Sequence, residues 1–249
     1  MNTWKLMKKE FKETRTQGVI FTAVIIFFGA SSVLMQKFIP MLVPEDLAEA
    51  FTPSLITGLN DYVSNTLQIG SVVAILITIS AITGERESGT LELLLARPVS
   101  KFQILASKFT VRASYVILGN IVAAGVTWYY AYYLFEPFSI GKLLMSGLAM
   151  GAITSFVLGL TMIFSAWRSS KLTVAFWSGG ISLALAILPT VRSPYDMMTP
   201  FKYGDIARRV LFQGVTPLGY LKNIGILVGF TLFCLTISLY IFQTSERIS

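Results

Sequence analysis

Six apolar stretches, each long enough to cross a lipid bilayer as a helix, dominate this chain of 249 residues. A helix needs about 20 mostly apolar residues to cross roughly 30 Å of hydrocarbon, because every backbone amide must be paired within the segment. None of the six carries a charged residue in its middle. They are Gly18–Met35, Thr66–Thr83, Val111–Phe135, Ile140–Ala166, Leu172–Val191 and Leu221–Phe242. We therefore predict an all-α integral membrane protein in which six transmembrane helices form one domain over residues 17–249.

The composition supports a membrane protein and excludes much of enzyme chemistry. Hydrophobic residues make up 54% of the chain and charged residues only 13%, against about a quarter charged in soluble domains. The chain has no histidine and one cysteine, Cys234. Imidazole general bases, histidine-ligated zinc and an internal disulfide are thereby excluded. An intramembrane serine protease has no base available, and we assign no catalytic, cofactor-binding or metal-binding residue.

The distribution of charge predicts the orientation in the membrane. Five basic residues precede the first stretch, which places the N-terminus in the cytoplasm by the positive-inside rule. Alternation then puts thirteen Lys and Arg with six acids inside, and seven of each outside, so the whole net charge of +7 lies on the cytoplasmic side. We expect both termini in the cytoplasm, the cell membrane as the location, and no nucleic-acid partner. The basic outer loop 192–220 strains this topology, and a re-entrant hairpin around Pro189 is the alternative for the fifth stretch.

The N-terminal segment 1–16 has the pattern of an amphipathic helix. Trp4, Met7 and Phe11 recur at helical spacing while lysines fill the other face. Tryptophan favours the headgroup region, and lysines face anionic lipid. We predict a short helix lying on the inner surface of the bilayer; a topology signal alone is the alternative.

The fourth stretch carries a face of small residues at four-residue spacing, Gly147, Gly151, Ser155 and Gly159. Small residues let helix backbones approach closely in lipid. This helix-packing face can serve contacts within one subunit or contacts with a second subunit.

The cytoplasmic loop 84–109 is predicted to form a helix, a break and another helix. Ser88 or Gly89 can begin the first helix and Pro98 ends it, while Ser100 with Gln103 forms a capping box for the second. Leu91, Leu94 and Leu95 give the first helix an apolar stripe. A lipid-surface helix is the alternative, but the three nearby glutamates suit a protein partner with basic groups better than an anionic leaflet.

At this loop the sequence resembles the ABC-2 family of ABC-transporter permeases. The likeness rests on the residues from Glu85 to Leu95, Glu-Arg-Glu-Ser-Gly-Thr-Leu-Glu-Leu-Leu-Leu, followed by Pro-Val-Ser-Lys from Pro98 to Lys101 and by a basic residue, Lys108. The whole chain also agrees in plan with the family's basic N-terminal helix and six spans. The resemblance implies that the outer loop 192–220 partly re-enters the membrane, and it favours a bacterial source.

The resemblance further implies that the loop helix is a coupling helix that docks on a separate ATPase subunit. The expected contact residues are Glu85, Glu87, Gly89, Thr90, Glu92, Leu94 and Leu95. The chain has no G-x-x-x-x-G-K-[ST] phosphate loop, so ATP and Mg²⁺ are expected in the partner. The implied complex is an ATP-driven exporter with two ATPase subunits and a second permease copy or a paralogue. We expect an amphipathic or apolar substrate.

Two other functions fit parts of the pattern. An ion-coupled secondary transporter generally needs ionisable groups or broken helices near the midplane, and the spans show neither clearly. A non-transporting membrane anchor subunit would also use the loop and the small-residue face, and only transport measurements separate it from a permease.

Overall fold

The computed structural model describes residues 3–42, 44, 53–96, 98–188 and 199–245, and every regular element in them is a helix. We number these helices in chain order. They are α1 Thr3–Leu42, α2 Leu55–Thr78, α3 Thr83–Glu87, α4 Thr90–Leu95, α5 Lys101–Leu134, α6 Ile140–Trp167, α7 Lys171–Ile187, α8 Pro200–Gly204, α9 Ile206–Phe212 and α10 Pro217–Ser245. The side chains of Pro40, Leu95 and Ser245 lie outside the described set.

Five described helices, α1, α2, α5, α6 and α10, are long and apolar enough to cross a membrane. This confirms the all-α membrane fold. The predicted fifth span is the shorter helix α7, whose 17 residues extend for about 25 Å, somewhat less than the roughly 30 Å of hydrocarbon. The predicted end of that span at Val191, and Pro189, lie outside the described residues.

The predicted and observed bounds agree best for α6. Helix α6 begins at Ile140 as predicted, whereas α2 begins at Leu55, well before the predicted Thr66. The additional residues of α2 are partly polar, and they bond to α1: the Gln36 amide donates to Asp61 at 3.1 Å and the Asn65 amide donates to Ser32 at 3.0 Å. Hydropathy misses this extension because its polar groups find partners in the neighbouring helix.

All six long elements have one terminus at the same end of the bundle, which we call the loop end because residues 83–100 lie there. Helix α1 begins there and α2 ends there, α5 begins and α6 ends, α7 begins and α10 ends. Contacts fix this arrangement, for example Lys108 with Glu10 at 2.8 Å, Thr83 with the carbonyl of Ser165 at 3.1 Å, and the Lys101 amine with the carbonyl of Phe242 at 3.2 Å. The predicted alternation of the chain is therefore present in the fold.

The N-terminal segment differs from the prediction. It is not a separate helix but the first part of α1, which continues without a break for 40 residues, or about 60 Å. Buried residues at a spacing of three or four continue from it into the span, and they are Leu6, Glu10, Thr14, Gly18, Phe21 and Ile25. This stripe packs along α5, where Gly18 lies against the ring of Tyr115. Trp4 and Phe11 remain exposed, although the Phe11 ring lies 5.5 Å from that of Tyr115 on α5, and their placement in the headgroup layer stays a prediction.

The described part of loop 192–220 folds back into the bundle. Helices α8 and α9 pack between α6, α10 and α2, and the backbone of Gly204 lies against the side chain of Ile153. Ile153 is halfway along α6, about 20 Å from that helix's first residue. The segment therefore reaches the depth of the middle of the central helix. The re-entry of loop 192–220 into the membrane stays a prediction. Residues 192–198 lie outside the described residues.

Candidate functional site

The loop between α2 and α5 contains two short helices and ends in a fixed cap. After α3, Gly89 adopts a left-handed conformation with φ of 69° and begins α4, a backbone position that suits glycine. The chain then breaks at Pro98. The Ser100 hydroxyl accepts from the amide of Gln103 at 3.2 Å, and the Gln103 side chain accepts from the amide of Ser100 at 3.1 Å. The predicted capping box is confirmed, so the loop joins α5 through a rigid start.

Beneath the loop lies a buried group of four charged side chains, Glu10, Glu85, Lys108 and Arg112, which we call the ion-pair cluster. The Lys108 amine lies 2.8 Å from a carboxylate oxygen of Glu10 and 2.8 Å from one of Glu85, and Arg112 lies 3.2 Å from the other oxygen of Glu10. The side chains of Lys108 and Glu10 are only 3% and 4% exposed. Two acids and two bases balance, which is how buried charges are tolerated.

The ion-pair cluster also holds helix ends. The Arg112 Nε donates to the carbonyl of Ile77 at 3.0 Å, in the last turn of α2, where helix carbonyls lack partners within the helix. Glu10 belongs to α1, Glu85 to α3 and the two bases to α5. With the bond from Arg112 to α2, the cluster connects four helices. Lys108 therefore links Glu85 of the loop to both α5 and α1.

A second set of hydrogen bonds fixes the loop to the end of α6. The Ser165 hydroxyl accepts from the backbone amides of Ile82 at 3.0 Å and Thr83 at 3.2 Å. The Arg86 guanidinium donates to the carbonyls of Ala166 at 3.1 Å and Arg168 at 3.0 Å. The two Arg86 bonds satisfy backbone carbonyls at the end of α6 that have no partner within the helix.

The loop also contacts the beginning of α7. The Glu87 carboxylate lies 2.7 Å from the Lys171 amine, an exposed pair that contributes little to stability on its own. Together with the bonds to α6, this contact places α3 against the ends of two helices at once. The loop is thus held by α1, α5, α6 and α7.

Helix α4 has an inner and an outer side. Leu91 and Leu94 are buried and pack in one cluster with Leu6, Ile104 and Phe242 of the same chain. The outer side contains Gly89, Thr90, Glu92 and Leu93, which are all exposed, and Leu93 has 69% of its surface accessible. The tip of the loop thus presents an exposed leucine beside an acid.

The predicted contact residues therefore divide into two sets. Gly89, Thr90 and Glu92 lie on the outer side, and Glu87 is on the surface with its charge paired. Two others face inwards: Glu85 bonds to Lys108 beneath the loop, and Leu94 packs into the chain's own core because the apolar side of α4 is covered by neighbouring helices. Contact of any of these residues with an ATPase stays a prediction. The side chain of Leu95 lies outside the described residues.

Sequence reasoning missed Leu93, Glu10 and Arg112. A signal was present for two of them: Glu10 is an acid within the four-residue stripe from Leu6 to Thr14, and Arg112 follows Lys108 by one helical turn. Leu93 was hidden because four consecutive positions from Leu91 to Leu94 include three leucines, and spacing alone does not say which of them the core takes.

The small-residue face packs within the chain. A side chain at Gly147 would meet the backbone oxygen of Asn120 at 2.8 Å, and one at Gly151 would meet the Cα of Ile117 at 3.0 Å, both on α5. Gly159 lies against Cys234 on α10, and Ser155 is buried with its hydroxyl bonded to the carbonyl of Gly151 at 2.7 Å. The face thus lets α6 approach α5 and α10.

Fold and loop together define a multi-pass α-helical membrane protein with a loop at one end that is bonded to the neighbouring helices. Comparison with known proteins is more specific. The sequence model described as "ABC-2 family transporter protein" matches residues 4–247, so the chain belongs to the ABC-2 family of transporter membrane proteins. It is also similar to the uncharacterized transmembrane protein YxlG of Bacillus subtilis (strain 168), with 22% identity over 198 residues, covering 74% of this chain and 76% of that protein.

Membership of this family implies a permease subunit of an ABC transporter, a role that is typically non-catalytic. Proteins of the family generally work with ABC ATPase partners.

Proposed function

We propose that this chain is the permease subunit of an ATP-driven exporter and that the outer side of the α3–α4 loop, residues Gly89, Thr90, Glu92 and Leu93, docks on the ATPase subunit. ATP and Mg²⁺ are bound by that partner. Two ATPase subunits and a second copy of this chain or a paralogue complete the complex, which lies in the cell membrane with the loop end in the cytoplasm.

The proposal depends on two properties of the loop together: its inner side is bonded to the rest of the chain, and its outer side is exposed. The ion-pair cluster, the Ser165 bonds and the Glu87–Lys171 pair fix the loop to four helices, while Leu93 and Glu92 face outwards. A force applied to the loop is passed on as a rigid-body shift of α1 and α5 rather than absorbed by bending. This is what coupling of ATP hydrolysis to a membrane pathway requires.

The charge at the loop supports a basic counterpart. Glu92 is exposed on the outer side, and Glu87 lies on the same surface. Acids at an interface direct the encounter with a basic partner more than they add affinity. We expect Leu93 to supply the anchor and Glu92 to set the orientation.

An ion-coupled transporter is less well supported. The buried charges of the ion-pair cluster balance one another and lie within the first turns of α5 from the loop end, not at the middle of the bundle, where a coupling ion is normally held.

Leucine substitutions test the docking surface. Leu93→Glu replaces an exposed apolar anchor by an acid and should leave insertion and folding intact while it abolishes substrate-stimulated ATP hydrolysis by the assembled complex. Leu94→Glu is unsuitable for this purpose because it would place a charge in the chain's own core. The matched control is Leu218→Glu, which changes a leucine that is 79% exposed near the opposite end of the bundle.

The expected result is loss of stimulated hydrolysis in Leu93→Glu and retention in Leu218→Glu. If both variants hydrolyse ATP as the unmodified complex does, the docking surface lies elsewhere. Uptake driven by pH or sodium without ATP would favour the secondary transporter.

A further inference from the structure

A cavity of about 1090 Å³ lies between α2, α7 and the α8–α9 segment. Its volume is close to the upper limit of pockets that hold drug-sized ligands, about 300–1,000 Å³. Val72 and Leu183 line it and are 55% and 62% exposed, so it opens sideways between α2 and α7. The described lining contains no residue of the α3–α4 loop, and the cavity is therefore a separate site from the proposed docking surface.

The cavity is elongated along α2. Its α2 wall runs from Ser64 to Ile75, which is about 16 Å of helix and the length of about five residues of extended peptide. Spread over that length, the volume gives a mean cross-section of about 65 Å². Extended peptide chains that pack together occupy roughly 5 Å by 10 Å each. The cavity is thus wider than a single hydrocarbon chain needs, and it has room for an extended peptide with its side chains.

Polar side chains lie along the length of the cavity. Gln68 and Ser71 follow Ser64 on the α2 wall at intervals of about one helical turn, and Ser182 lies on the α7 wall. The buried hydroxyls of Ser71 and Ser182 have no hydrogen-bond partner in the described structure, and Ser182 is only 6% exposed. Because buried polar atoms are normally paired, we expect hydrogen-bonding groups of a ligand or water beside these hydroxyls.

The polar groups in the middle of the cavity favour an uncharged ligand. A serine hydroxyl and a glutamine carboxamide each offer both a donor and an acceptor, whereas an anion needs donors and a cation needs acceptors. Charged side chains in the described lining belong to the α8–α9 segment, where the Asp205 carboxylate lies 3.6 Å from Arg208 and 3.8 Å from Arg209. Since acid and bases lie beside one another there, the uncharged middle part decides the class of ligand.

Aliphatic side chains lie among the polar ones. Leu67 and Val72 of α2 and Leu183 of α7 line the cavity together with the two serines. A saccharide would place hydroxyls against these aliphatic groups, and an acyl chain would exclude water from the serines without pairing them, which is costly for buried polar atoms. An extended peptide satisfies both kinds of group, because its backbone carries a donor and an acceptor at each residue while its side chains project to the two faces.

We infer that this cavity binds a short, uncharged, apolar peptide in an extended conformation. The backbone amides of the peptide pair with Gln68, Ser71 and Ser182, and its side chains pack on the leucines and the valine of the two walls. That such a peptide is the exported substrate rests on the proposed function. Its binding to this chain does not, since no ATPase is needed.

The first test is photo-labelling of the purified full-length chain in phosphatidylcholine nanodiscs. The probe is an acetylated and amidated pentapeptide of leucine and alanine with a diazirine side chain at its centre. Mass spectrometry should map the label to the facing parts of α2 and α7, and the same peptide without the diazirine should compete. Label spread evenly over all lipid-exposed helices would overturn the inference.

Competitors distinguish a peptide from other ligands. A peptide with the same side chains and a fully N-methylated backbone keeps the apolar groups but has no backbone donor, so it should compete at least about tenfold more weakly, the loss expected for a few hydrogen bonds. Maltopentaose and dodecyl phosphate should not compete at concentrations at which the unmethylated peptide does. Equal competition by the N-methylated peptide or by dodecyl phosphate, or stronger competition by maltopentaose, would overturn the inference in favour of an apolar, amphiphile or saccharide site.

Two glycines on α7 provide a matched pair of variants. A side chain added at Gly179 or at Gly180 meets no atom within 4 Å, so Leu is sterically tolerated at both. Of the two, Gly179 lines the cavity and Gly180 does not. Gly179→Leu should therefore reduce labelling several-fold while Gly180→Leu leaves it unchanged. The same labelling in both variants would exclude a peptide in this cavity.

The serine hydroxyls are tested by removal. Ser71→Ala combined with Ser182→Ala should weaken competition by the unmethylated peptide about tenfold, and competition by the N-methylated peptide less, because that peptide can only accept. Ser178→Ala is the control, since the Ser178 hydroxyl donates to the carbonyl of Val174 at 2.7 Å within α7 and does not line the cavity. Equal competition in the double variant and the control would exclude pairing of the peptide with the two serines.

The binding site and the proposed function can fail separately. Specific labelling by the peptide, in a chain that no ATPase accompanies, overturns only the proposed function. If an ATPase accompanies the chain but unlabelled peptide does not reduce the labelling, only the peptide site is overturned.

Discussion

Removal of the Lys108 amine should destabilise the protein more than removal of any exposed lysine. Lys108→Met keeps the length of the side chain but removes a charge that lies 2.8 Å from both Glu10 and Glu85. Each charge-assisted hydrogen bond contributes about 1.5–3 kcal/mol, and breaking a buried pair costs about 3–5 kcal/mol. Glu10 retains Arg112 and Glu85 is 16% exposed, so the lower part of that range, about 3 kcal/mol, is the expected loss.

The measurement is the free energy of unfolding in mixed micelles. Lys9→Met is the control, because Lys9 makes only an exposed pair with Glu13 at 3.6 Å, with side chains 40% and 53% exposed; its loss should stay within about 0.5 kcal/mol. Combining Lys108→Met with Glu85→Gln removes one base and one acid, so the double variant should be at least about 1 kcal/mol more stable than the sum of the single losses predicts.

Equal stability of Lys108→Met and Lys9→Met would refute the buried cluster. If the losses of unfolding free energy in the two single variants add strictly in the double variant, Lys108 and Glu85 do not interact. The main contact between the loop and α5 would then be absent.

Two further predictions concern packing at the ends and centre of the bundle. Gly147→Ala places a methyl group 2.8 Å from the carbonyl oxygen of Asn120 and should cost about 1–3 kcal/mol of unfolding free energy, whereas Gly125→Ala, with no atom nearby, should be neutral or stabilising; equal effects would contradict close approach of α5 and α6. Ser165→Ala leaves the buried amides of Ile82 and Thr83 without their acceptor, so amide hydrogen exchange should accelerate there by at least tenfold, and unchanged exchange would show that the loop is not fixed to α6.

Local features of the loop were predictable because they depend on neighbouring residues. The Ser100 and Gln103 capping box, the break at Pro98 and the glycine before α4 follow from sequence spacing and are present in the structure. The bounds of α6 were predictable for a similar reason, since an uninterrupted apolar segment ends where polar residues begin.

Features that depend on long-range contacts were not predictable from one sequence. The apolar stripe of α4 was correctly expected, but a stripe can face a partner or the chain's own core, and only the packing of Leu94 against α5 and α10 decides between them. The continuity of α1 also depends on a long-range contact. Segment 1–16 is amphipathic in either case, and the bond of Glu10 to Lys108, 98 positions later, keeps it in line with the span.

The most direct test of the central claim is affinity purification of this chain from its native membrane in mild detergent, followed by mass spectrometry and an ATP hydrolysis assay. The account predicts that an ATP-binding subunit accompanies the chain at equal stoichiometry and is lost selectively in Leu93→Glu. A chain that purifies alone, or with no nucleotide-binding partner, would contradict it.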